Sequence, residues 1–166
     1  MKIGCPKEVK PQEFRVGMTP AAAAEAVGRG HTVLIQSGAG EGAGFADDDY
    51  AAAGARIVPD AAAVFGEAEL IVKVKEPQPA ERRMLARGQI LFTYLHLAPD
   101  PDQTRDLLDS GVTAIANETV TDARGGLPLL APMSEVAGRL APQVGSWALQ
   151  KANGGRGVLM GGVPGV

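Results

Sequence analysis

Two stretches, Ile71-Val-Lys-Val-Lys75-Glu-Pro77 and Ile90-Leu-Phe-Thr-Tyr94-Leu-His96-Leu-Ala-Pro99, are apolar runs of strand length that turn polar and then stop at a proline. Continuous apolar runs of this length fit strands covered on both faces, the situation of a parallel sheet. Their carboxyl ends carry Lys75, Tyr94 and His96. In open α/β folds that edge is where ligands bind.

The rest of the chain repeats the same unit. Lys2–Cys5 is expected as a strand, followed by a polar loop over 6–17 that carries Arg15. Thr19 and Pro20 supply an N-cap and a first-turn proline for a helix over 21–27, closed by Gly28 and Gly30. Further strands are expected at 31–36, Arg56–Val58, 69–75, 89–95 and 112–116, with helices between them beginning near Ala46 and Asp60 and spanning 79–86 and Pro101–Ser110. This alternation predicts an α/β fold, a doubly wound, mainly parallel sheet flanked by helices.

The pattern changes after Ala116. Residues 118–130, with a turn at 122–126, are expected as an antiparallel hairpin. A long helix is expected from Pro132 to about Asn153, kinked or locally broken at Pro142. The organisation is therefore an α/β domain over 1–130, a linker-type helix over 131–153 and a Gly-rich tail over 154–166. A hairpin and helix leaving a sheet point to a homo-oligomer, a dimer built through the 118–130 hairpin and the 133–153 helix, or to a further domain that covers them.

Composition narrows the partners. With 16 Lys and Arg against 19 Asp and Glu, the net charge of −3 provides no dense basic patch, so nucleic acid and anionic membrane are not expected partners. Cys5 is the single cysteine, which excludes an internal disulfide and is expected as a small core side chain in a reduced, cytoplasmic setting. No stretch approaches the ~18 apolar residues of a membrane-spanning helix.

Gly38-Ala-Gly40-Glu-Gly-Ala43 fits G-x-G-x-x-A after a strand, with Asp60 placed 22 residues beyond Gly38. A dinucleotide pyrophosphate would sit at the next helix N-terminus, yet Asp47, Asp48 and Asp49 crowd that end beside Glu41. The stretch is therefore taken as a close-turning loop and not as a cofactor site.

The remaining chemistry converges on the carboxyl edge. The planar guanidinium of Arg15 fits a carboxylate through two parallel hydrogen bonds. An ammonium at the end of an apolar strand needs an anion or a carbonyl, and either Lys73 or Lys75 fits, the other snorkelling or pairing with a carboxylate such as Glu76. His96, one of two histidines with His31, suits proton exchange near neutral pH. Together they make a site for a small 2-oxo acid. Glu118 either balances this cluster or begins the hairpin.

The stretches Met1-Lys-Ile-Gly-Cys-Pro-Lys-Glu8, Arg15-Val-Gly17 with Thr19-Pro20, Val72-Lys-Val-Lys-Glu-Pro77, Leu91-Phe-Thr-Tyr-Leu-His-Leu-Ala-Pro99 and Leu129-Leu-Ala-Pro-Met-Ser-Glu-Val-Ala-Gly-Arg139 resemble the N-terminal part of alanine dehydrogenases. The resemblance covers essentially the whole chain. Nicotinamide nucleotide transhydrogenases share the opening and fit the central motifs less well. The resemblance implies that Arg15 and Lys75 hold the substrate carboxylate and carbonyl region, that His96 donates and accepts the proton, that Tyr94 and Met133 line the pocket, and that Ser134 lies near the cofactor face.

Alanine dehydrogenases continue from a Gly-Val-Pro-Gly-Val stretch like the one closing this sequence into an NAD-binding Rossmann domain. The expectation is thus a truncated relative that keeps the L-alanine or pyruvate site, binds no NAD by itself and lacks autonomous oxidative deamination. Two other readings are an assembly module that engages itself or a full-length relative, and a non-redox enzyme using Lys75 and His96 on a 2-oxo acid.

Overall fold

The computed structural model describes residues 1–165, which separate into two compact units, Met1–Glu118 and the residues from Thr119 onward. In the first unit β1 (Lys2–Cys5), β2 (Thr32–Gln36), β3 (Arg56–Val58), β4 (Leu70–Val72), β5 (Ile90–Thr93) and β6 (Thr113–Ala116) form one sheet. Every pairing is parallel and the spatial order is β3-β2-β1-β4-β5-β6. The sequence runs outward in one direction from β1 and in the other from β4, so the order reverses between these two neighbours. The doubly wound α/β fold expected from the alternation is the fold observed.

The crossovers carry α1 (Pro20–Gly28), α2 (Asp47–Ala52), α3 (Ala61–Glu67), α4 (Pro79–Arg82) and α5 (Pro101–Ser110). Their starts follow local chemistry: the side chains of Thr19, Asp60 and Asp100 accept the backbone N–H groups of Ala22, Ala63 and Gln103 at 3.2, 2.8 and 2.9 Å. With helices on both faces, Val33, Leu34 and Ile35 are all buried in succession, the mark of a strand without a wet side. Cys5 lies wholly inside, and burial pushes its thiol up to about 11, which leaves it a core side chain. Tyr50 fills the same core and donates its hydroxyl to the Met18 carbonyl at 2.8 Å.

Three expectations change. β4 and β5 end earlier than the apolar runs, at Val72 and Thr93, although the ladder persists beyond them through Lys73 N–H to the Phe92 carbonyl at 3.1 Å and Tyr94 N–H to the Val74 carbonyl at 3.2 Å. α4 closes at Arg82 instead of running to residue 86, because the chain tightens into three-residue turns and the Gln89 side chain takes the Ala86 N–H at 2.8 Å. The hairpin expected over 118–130 does not form. Asn117–Thr119 winds into a 3-10 turn, the Asp122 carboxylate accepts the N–H groups of Arg124 and Gly126, and the Leu127 carbonyl accepts those of Leu130 and Ala131. Local turns have taken the groups that a ladder would need, and Pro128 has no N–H to give.

In the second unit α6 (Ala131–Leu149) passes through Pro142 as one uninterrupted helix, followed by a 3-10 turn at Lys151–Asn153. Ser146 Oγ donates to the Pro142 carbonyl at 2.8 Å one turn on. Among the described residues no helix is long and apolar enough to cross a membrane.

Candidate functional site

Three loops leave the carboxyl edge from adjacent strands: residues after β1, after β4 and after β5. They carry Arg15, Lys75, and Tyr94 with His96. The crevice between β1 and β4 is the point where the strand order reverses, and ligands of open α/β sheets bind at such switch points. The β1 loop lies close on the β4 exit: a Cβ on Gly17 would stand 2.5 Å from the Val72 carbonyl oxygen, so only glycine permits this approach.

Arg15 does present two parallel hydrogen bonds, but to a carboxylate of its own chain. Its Nε and Nη2 donate to Glu13 Oε1 and Oε2 at 2.7 and 2.6 Å. The Arg15 side chain is 46% exposed while that of Glu13 is only 6% exposed. This pairing is the leading reason that Glu13 is held below the ordinary carboxylate range, with the Lys75 charge adding to it, and that Arg15 is raised. Tyr94 and Glu8 also act on the Arg15 charge. Arg15, Lys75, Tyr94, Glu8 and Glu13 therefore share one electrostatic neighbourhood. A cavity of about 280 Å³ opens on the Arg15 side of this group, toward the glycine loop, lined among others by Lys7, Glu8, Glu13, Arg15 and Glu41; Lys75, Tyr94 and His96 do not line it.

The two lysines of the β4 run, indistinguishable by sequence, have different surroundings. Lys73 is buried between two acids, its Nζ 3.1 Å from Glu8 Oε2 and 2.7 Å from Glu81 Oε1, the latter without hydrogen-bond alignment. Lys75 is half-buried, and its ammonium forms no ion pair or hydrogen bond among the described residues. The suggested pairing with Glu76 is not made by either: Glu76, which burial pushes up, is held below the usual range by the ammonium of Lys10. Lys75 is thus the lysine left for a ligand.

The β5 loop is built to present His96. The Glu118 carboxylate accepts the N–H of Leu95 at 3.1 Å and that of His96 at 2.7 Å, while Gln103 Nε2 donates to the Leu95 carbonyl at 2.6 Å. His96 itself has φ +48, a left-handed backbone uncommon for a residue with a Cβ, and its side chain is exposed. Such strain persists where its surroundings over-determine it, and it clusters at functional sites. Glu118 begins no hairpin; it caps this loop.

Met133 and Ser134 belong to the second unit, in the first turn of α6. Met133 is half-buried, and the exposed Ser134 hydroxyl donates to the Leu130 carbonyl at 3.4 Å.

The glycine loop does not fit a dinucleotide. Asp47 already occupies its donors, taking the Ser37 hydroxyl at 2.6 Å and the Gly38 N–H at 2.8 Å, and a Cβ on Gly40 would meet the Tyr50 ring at 2.7 Å. The loop closes on its own helix instead of a phosphate, and Asp60 caps α3 instead of holding a ribose.

Sequence reasoning missed Glu8, Glu13, Thr93 and Gln103 as supports of the site. One signal was available for Glu8: a lysine inside an apolar strand demands a buried carboxylate, and Glu8 follows the neighbouring strand.

Fold and site together define a parallel α/β domain with a charged crevice at its switch point. The profile of the family described as "Alanine dehydrogenase/PNT, N-terminal domain" matches residues 4–137. The chain belongs to this family. It is 60% identical over 166 residues to an alanine dehydrogenase of Halomonas elongata and 61% identical to one of Mycobacterium tuberculosis, in each case over 100% of this chain and 45% of the relative. A solved structure titled L-alanine dehydrogenase superposes with a TM-score of 0.89 at 55% identity, over 100% of this chain and 46% of that one. The chain spans less than half the length of the relatives it matches.

Proposed function

We propose that residues 1–118 form the half of an active site that holds a small 2-oxo acid, pyruvate, or the matching amino acid, L-alanine. The observation that carries this reading is the presentation of Arg15, Lys75 and Tyr94 in one neighbourhood by the loops around the β1/β4 switch point, with His96 on the neighbouring β5 exit. Arg15, oriented by Glu13, attracts the carboxylate. Lys75 directs its ammonium at the carbonyl oxygen, and His96 exchanges a proton with that oxygen; the hydride and the ammonia that turn a 2-oxo acid into an amino acid would come from outside these residues. Tyr94 borders the pocket.

The family name supports oxidative deamination of L-alanine with NAD as the activity of the longer relatives. Because the glycine loop is occupied by Asp47, no step through a nicotinamide is assigned to the described residues; binding of substrate is. A second proposal concerns α6. Val136, Leu140, Val144 and Trp147 are 58, 48, 61 and 60% exposed at spacings of four, four and three, a continuous apolar stripe that fits a second copy of the chain in a homodimer.

Separate calorimetric titrations with pyruvate, L-alanine and NADH test the main reading. Heat is expected from pyruvate or L-alanine, falling about tenfold in affinity in Arg15→Gln and Lys75→Met, the loss of one charge-assisted contact. No heat from either substrate, or heat from NADH alone, overturns it.

A further inference from the structure

We infer that Glu8 is the positioning residue for Lys75, a buried carboxylate that bridges the switch point and fixes the peptide from which the lysine reaches its ligand. The inference rests on the proposed substrate reading for its functional consequence and on geometry alone for the bridge. Glu8 leaves β1 by only three residues, yet its carboxylate acts across the crevice on the β4 exit. Oε1 accepts the Val74 N–H at 2.7 Å, and Oε2 lies 3.4 Å from the Lys75 N–H. On the other side of residue 75, Thr93 Oγ1 donates to the Lys75 carbonyl at 2.9 Å. The residue is thus clamped by its N–H from β1 and by its carbonyl from β5.

A carboxylate is suited to this task in a way that a neutral acceptor is not. Both backbone N–H groups lie where the β1/β4 ladder has ended, and a charged acceptor makes shorter and roughly twofold stronger hydrogen bonds than a neutral one. The cost of burying that charge, in a side chain 2% exposed, is offset by Lys73 Nζ at 3.1 Å. The neighbouring lysines of the β4 run therefore divide the work. Lys73 faces inward and pairs with Glu8; Lys75 makes no ion pair among the described residues. Glu8 also lines the cavity that Arg15 lines, so one carboxylate relates the two cationic groups to each other.

The test uses the whole 166-residue chain and pyruvate. In the parent, a through-hydrogen-bond coupling between the Val74 amide nitrogen and the Glu8 carboxyl carbon is expected by NMR, and its absence overturns the bridge. In Glu8→Gln, amide exchange at Val74 and Lys75 is expected to speed up about tenfold while Val33 and Leu34 in β2 keep their protection, and pyruvate affinity is expected to drop about tenfold. A merely structural role would loosen β2 and the β4 exit together. Should Glu8→Gln not fold, Thr93→Val removes only the carbonyl side of the clamp, and an unchanged pyruvate affinity there overturns the inference. The two proposals fail separately: a parent that shows the coupling but binds no pyruvate sinks the substrate reading and leaves the bridge standing, whereas a folded Glu8→Gln that binds pyruvate like the parent sinks the positioning role alone.

Discussion

At the scale of single residues, each candidate side chain of the site has a dedicated acidic support. Glu13 holds Arg15, Glu8 holds the Lys75 peptide and Glu118 holds the His96 peptide. The Arg15–Glu13 pair has a pH signature. The pair keeps Glu13 below its ordinary value of 4.5, so its stabilisation is fully present above that pH and is lost as pH falls through the lower folded-state value. Urea unfolding of the parent and of Glu13→Gln should show a constant gap from pH 7 to about 5, below ~1 kcal/mol because Arg15 is half exposed, closing toward pH 3. A gap that widens on acidification would contradict the pairing. The candidate site residues could be read from their place at strand ends. Glu8 was signalled only by the need of an in-strand lysine for a carboxylate, since Glu8 and Lys73 lie 65 residues apart.

At the scale of elements, the candidate site residues lie on strand exits and not on strands. The apolar runs 71–75 and 90–95 were read as strands throughout, whereas β4 and β5 stop at Val72 and Thr93 and their last residues are spent on presenting side chains. The β4 exit depends on Lys73, the single cation between the buried Glu8 and Glu81. Lys73→Met leaves two buried carboxylates without a counter-ion and is expected to cost about 3–5 kcal/mol in chemical denaturation, as for other broken buried pairs. Replacing all three together, Lys73→Met with Glu8→Gln and Glu81→Gln, should recover much of that loss; equal destabilisation of both variants would show that the cost is packing and not charge. The hairpin expected over 118–130 failed for an element-level reason. Its turn residues were identified correctly, but Asp122 and the Leu127 carbonyl close local turns and no strand pairs across them.

At the scale of the whole molecule, the two units differ in how they use apolar surface. The first unit buries its apolar side chains between sheet and helices, while α6 in the second unit buries none of its residues. A dimer through the apolar stripe predicts that sedimentation of the parent at micromolar concentration gives twice the chain mass, and that Leu140→Glu with Val144→Glu gives the chain mass at unchanged helix content. A monomeric parent removes the proposal. By itself, the sequence determined the parallel doubly wound sheet, the strand ends that carry the candidate residues and the helix starts, because hydrophobic run length, capping side chains and proline positions act within a few residues. Only the tertiary structure decided that Lys73 is the lysine buried between two carboxylates, that the glycine loop is closed by Asp47 and that Glu8 and Glu118 hold the exits. Those outcomes depend on which distant strands become neighbours, and a buried charge chooses its partner only after the sheet has set their distance.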